Sequence, residues 1–180
     1  RSRSLKARLR DFLLVAGEAQ QLLDSENMAE LAAFCTEPWA ISAETAAGSG
    51  SWEAAACQCL QDLEILEPDW LTLLKQWEQA PELPGFAPQD PEKLERIAVY
   101  FAFRYLLKAV NDGDLLGRAQ FCALGVLVTD RLSRFVGLPE ALRLFSREIE
   151  HDEDNLATLR EQFWQTEGLS LSALLAAFCG

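Results

Sequence analysis

The chain has 180 residues, long enough for one well-packed domain, and 49% of them are hydrophobic, which excludes general disorder. Its formal net charge is -12, although the first ten residues hold Arg1, Arg3, Lys6, Arg8 and Arg10 and no acid, so the remaining body is more acidic still. Such a body repels phosphate backbones, which argues against nucleic acid as a ligand and for a basic protein segment.

No apolar run is long enough to cross a bilayer, and neither a signal-peptide nor a lipidation pattern is present, so a cytoplasmic protein without a membrane partner is expected. The cysteines, Cys35, Cys57, Cys59, Cys122 and Cys179, are odd in number and sit mostly among apolar residues, which suits reduced thiols. Cys57-Gln58-Cys59 lacks metal-site spacing. The sequence does not begin with Met and is read as the C-terminal fragment of a longer chain.

The expected fold is all-α, a multi-helix bundle in one domain over 1–180. Helical spacing of Leu5, Leu9, Phe12, Leu13, Ala16, Ala19 and Leu23 predicts a first helix over 4–23 with Ser4 as N-cap. A second helix is expected over 26–36, capped by Ser25 and closed before Pro38. The segment 42–50 is small and polar and reads as a loop. Helices three and four are predicted over 52–63 and 68–79, the latter with Pro68 in its first turn. The proline-rich stretch 80–91 must be an irregular connection.

Two apolar helices are expected at the centre, over about 91–111 and 115–135. The first is opened by Asp90-Pro91 and is so apolar on every side between 94 and 110 that neighbours should surround it. In the turn between them Gly113 suits a left-handed position and Asp114 an N-cap. A seventh helix is expected to run unbroken over 138–164, and Ser170 should cap a last helix ending near Phe178.

There is no GxGxxG after a strand, no Walker-type loop and no GxSxG elbow, and a lone histidine excludes a multi-histidine zinc centre. Chemistry is therefore sought where charge enters apolar runs. Arg104 and Lys108 share one face of the first central helix and need a carboxylate from a neighbour. On an unbroken seventh helix Asp152 would interrupt the apolar stripe of Ile149 and Leu156, with Glu148 one turn earlier, and the two would receive Arg104, Lys108 or Arg118. Glu148 and His151 also have the spacing of a carboxylate-bridged metal helix, but no second such motif exists, so no metal is assigned here. A purely structural buried ion pair explains the same residues and stays open.

The string YFAFRYLLKAVNDGDLLGRAQFCALGVLV, followed later by LFSREIEHDEDNL, resembles the C-terminal half of the flagellin lysine-N-methylase family, where YFxxRxxLKAVxDGDLL precedes SREIEHSxxN. The matching positions include Tyr100, Arg104, Lys108, Asp112, Asp114, Arg147, Glu148, Glu150, His151 and Asn155, while Asp152 stands where the family has Ser. The resemblance implies methyl transfer from S-adenosylmethionine to lysines of flagellin or another protein. It also implies a cysteine cluster for an iron-sulfur centre or zinc, which would lie upstream because these residues contain none. Glu148, Glu150 and Asp114 would then be the catalytic, substrate-facing acids. Arg104, Lys108, Asp112, Arg147, His151, Asp152 and Asn155 would form the network around them. The alternative is a non-catalytic helical interaction module with a buried Arg/Glu core.

Overall fold

A computed structural model of the chain describes residues 3–37, 52–81 and 85–179, and every regular element among them is helical. The order is α1 (Leu5–Asp24), α2 (Met28–Thr36), α3 (Trp52–Asp62), α4 (Pro68–Glu78) and α5 (Pro91–Tyr105), then a 3-10 turn (Leu106–Lys108) and α6 (Ala109–Asp112). After these come α7 (Leu115–Val136), α8 (Leu138–Phe145), a π turn (Ser146–Glu150), α9 (Glu153–Gln165), a second 3-10 turn (Glu167–Leu169) and α10 (Leu171–Ala177). The all-α bundle is the expected fold. The predicted loop 42–50 lies outside the described residues, as do 82–84 of the proline-rich connection.

Local chemistry sets most helix starts. Ser4, Asp90, Asp114 and Ser170 each accept the N–H three residues on, at 3.2, 3.1, 2.8 and 3.4 Å, meeting donors that the first helical turn leaves open. Gly113 (φ 73°) and Gly137 (φ 79°) close the helices before them in a left-handed conformation that side chains resist.

The innermost element is α7, in which every residue from Gly117 to Leu132 is buried. At Gly125 an added Cβ would lie 3.0 Å from the Phe101 ring, so the missing side chain lets α5 approach. Phe101 meets Phe121 and Phe145 edge-on, with centroids at 6.2 and 5.7 Å, and Tyr105 joins at 4.7 Å from Phe121. The expectation that α5 is enclosed on all sides is corrected. It turns Leu94, Ile97, Phe101 and Tyr105 inward, while Val99 and Phe103 of α5, Leu107 of the 3-10 turn and Val110 of α6 stand exposed.

Three further boundaries differ from expectation. The helix expected over about 91–111 ends at Tyr105 and passes through the 3-10 turn Leu106–Lys108 into the short α6. Ser25 terminates α1, and Asn27 caps α2 by accepting the Glu30 N–H at 3.2 Å. The helix expected over 138–164 is broken: the His151 N–H reaches back five residues to the Ser146 carbonyl at 3.1 Å. Asp152 is then extended and caps α9 through the Asn155 N–H at 2.7 Å. A carboxylate two atoms from the backbone competes well for a free N–H, and that competition ends one helix and starts another.

Candidate functional site

Two residues apart on an α-helix point to nearly opposite sides, so Glu148, Ile149 and Glu150 are buried together only because neighbours cover both flanks of the π turn. On one flank Glu148 accepts the N–H groups of Leu66 and Glu67 at 2.9 and 2.7 Å, just before Pro68 starts α4. Its charge is satisfied by backbone at the positive end of a helix. Asn155 completes that flank: its amide donates to the carbonyls of Glu64 and Glu148 at 2.8 and 2.9 Å and accepts the Glu64 N–H at 3.0 Å. Glu148 and Asn155 thus fasten the 64–67 connection to the π turn.

On the other flank Glu150 faces α5, with a side chain only 1% exposed. Its Oε1 accepts the Tyr105 and Tyr100 hydroxyls at 2.8 and 2.9 Å, and Arg104 Nε lies 3.4 Å away. Arg104 Nε also donates to the Tyr105 hydroxyl at 3.0 Å, with its guanidinium 5.9 and 5.6 Å from the Tyr100 and Tyr105 ring centroids. The second carboxylate oxygen of Glu150, Oε2, is buried and has no partner. Burial, then the bond to Glu150, pushes the Tyr100 phenol up to about 12 and the Tyr105 phenol further. Lys108 Nζ sits 5.3 Å from the Tyr105 centroid.

The other expected site residues lie apart from this cluster. Asp112 accepts Arg118 Nε at 3.1 Å and Arg160 at 3.3 Å, and the Arg118 bond chiefly holds its carboxyl down at about 2. Asp114 caps α7 and pairs with Arg160. From α1, Gln20 donates to the Gly113 carbonyl at 3.1 Å and accepts the Leu115 and Leu116 N–H groups at 2.8 and 3.1 Å. The Asp112–Asp114 turn is therefore clamped from two sides as a structural joint. Arg147 is mostly exposed and lies 3.6 Å from Glu67, and His151 is exposed.

Arg104 does meet a carboxylate from a neighbouring element, Glu150, but its own side chain is 40% exposed, so the buried charge of the pair is the acid and not the arginine. The expectation that Glu148 and Asp152 receive Arg104, Lys108 or Arg118 is corrected: Glu148 is taken by backbone, Asp152 by its cap and Arg118 by Asp112. Tyr100 and Tyr105 were missed as site residues because their rings read as core. The signal was there, since the chain has only two tyrosines and they flank Arg104. Gln20 and Arg160 carried no such signal. Among the described residues no group of three or more His, Cys, Asp or Glu side chains is placed to hold a metal ion. Comparison with family models, curated proteins and solved structures finds no match to this chain.

Proposed function

We propose that this chain is the helical C-terminal part of a protein lysine N-methyltransferase of the flagellin lysine-N-methylase type, and that the Glu150 cluster receives the substrate lysine. The observation that supports this most is that the two motifs carrying the resemblance, YFAFRY and SREIEH, meet in one cluster. There a buried carboxylate has one oxygen held by two phenols and the other unengaged. In this reading Arg104 swings aside to open a way to Oε2, which is buried in the resting arrangement, so that the carboxylate can attract an ammonium group beside the Tyr100 and Tyr105 rings and take the proton that an amine must lose before it is methylated. Arg104 holds the carboxylate from the solvent side.

The described residues offer neither a cysteine cluster for a metal centre nor a glycine-rich loop opening a helix for a nucleotide-like donor. In this reading S-adenosylmethionine and any iron-sulfur or zinc centre are bound by other parts of a longer protein. This domain supplies scaffold and an acidic reception site for a lysine-bearing substrate, in the cytoplasm. In the full-length protein Glu150→Gln should lower kcat/KM for methylation of flagellin or another lysine-bearing protein by about 100-fold or more, the scale of a lost acid-base group, with the melting temperature nearly unchanged. Unaltered methylation by a folded Glu150→Gln variant rejects the reading.

A second reading, a non-catalytic interaction module, is favoured by Glu148 and Asn155, whose polar atoms are spent on backbone groups of the 64–67 connection. Under it Glu150→Gln lowers stability and leaves methylation intact.

A further inference from the structure

We propose that Arg104 is a resident competitor for the substrate: it stands where the lysine ammonium is received at Glu150, and its displacement sets how tightly and how selectively that site binds. This rests on the reading of Glu150 as the lysine-receiving carboxylate. The acid is fixed, because its side chain is 1% exposed and the Tyr100 and Tyr105 hydroxyls hold Oε1. The arginine side chain is 40% exposed and springs from the last turn of α5. Exchange at this site is therefore exchange of the cation.

The hold on Arg104 is of a kind that yields. A guanidinium that pins a buried carboxylate aims its planar fork at both oxygens, at about 2.7–2.9 Å. Here the nearest nitrogen, Nε, stands 3.4 Å from Oε1, outside the usual N–H···O range, and Oε2 accepts from nothing. The Nε hydrogen bond goes to the Tyr105 hydroxyl at 3.0 Å, and the guanidinium lies 5.9 and 5.6 Å from the Tyr100 and Tyr105 ring centroids, the ground an ammonium would occupy. Lys108 lies beside the Tyr105 ring as well, 5.3 Å from its centroid, but it is Arg104 that pairs with Glu150. An ammonium presents three donors from a single point, so it can reach the Oε2 that the flat guanidinium leaves unengaged. That bond is what a lysine gains over Arg104. A neutral side chain is refused, because displacing Arg104 without replacing its charge would strand a buried carboxylate.

Both tyrosines of the chain belong to this cluster, so nuclear-resonance spectra of isotope-labelled tyrosine read the site directly. The probe is n-butylammonium, a lysine side chain without its backbone. It should shift both tyrosine signals in the 180-residue chain and bind Arg104→Ala at least about tenfold tighter, a gain of about 1.4 kcal/mol. Arg104→Gln, which removes the charge and leaves less of a void for the probe to fill, should show the same direction of change. Arg104→Lys, which keeps a cation, should bind like the parent, and adding Glu150→Gln to any of these should abolish binding. Equal affinity in the parent, Arg104→Ala and Arg104→Gln, with Glu150→Gln still abolishing it, overturns the competitor and leaves the lysine site standing. No shift of either tyrosine signal in the parent or the Arg104 variants overturns both.

Discussion

Glu150 shows how one side chain can change the meaning of its neighbours. Both tyrosines of the chain donate to its Oε1, so ionising either phenol would place a second negative charge against the carboxylate. In a spectroscopic titration the Tyr100 phenol should ionise near pH 12 and the Tyr105 phenol later, and in Glu150→Gln both midpoints should fall while burial keeps them above the usual value. Midpoints at the usual value of about 10 in the parent protein reject the geometry. Because the folded-state values are raised, the stabilisation is complete below about pH 10 and is lost as pH climbs through the folded-state range. A charged residue in an apolar run was legible as needing a partner. Which acid answered was not, because that depended on a bend in a segment far along the chain.

At the scale of the element, that bend is decisive. The apolar positions 142, 145, 149, 156 and 159 keep helical phase across 138–164, so periodicity alone predicts one helix. The π turn instead lets Glu148 and Glu150 serve opposite flanks, and Asp152 restarts the helix. The two descriptions give opposite signs for one substitution. Asp152→Ala should destabilise by about 1 kcal/mol in urea unfolding as a lost N-cap, whereas inside an unbroken helix alanine would be the better residue. Glu148→Ala should cost more, about 3 kcal/mol, because it strands two N–H groups beside a buried void. A neutral outcome for both rejects the broken helix. The caps at Ser4, Asp114 and Ser170 were readable in advance because each needs only its own side chain and an N–H three residues on.

At the scale of the whole molecule, α7 is the axis on which the bundle is assembled, and its thiol reports on that assembly. Burial pushes Cys122 up to about 12 and Cys59 up to about 11, and it raises Cys57 as well. Cys35 and Cys179 are exposed. A thiol reagent at about pH 8, near the free thiol value, should therefore modify two cysteines quickly and the other three only as fast as the core opens, with urea accelerating the slow class alone. Fast modification of all five rejects the packing. No helix among the described residues is long and apolar enough to cross a membrane, in keeping with the scattered charges along the apolar runs.

Sequence by itself determined the helical class, the caps at Ser4, Asp114 and Ser170 and the left-handed Gly113, since each follows from interactions within one turn. Tertiary structure alone decided which side of α5 is covered, that 138–164 breaks, and that Glu150 rather than Glu148 or Asp152 stands beside the tyrosines. Those outcomes depend on what packs against a segment from elsewhere in the chain, and a residue's own neighbours in sequence carry no record of that.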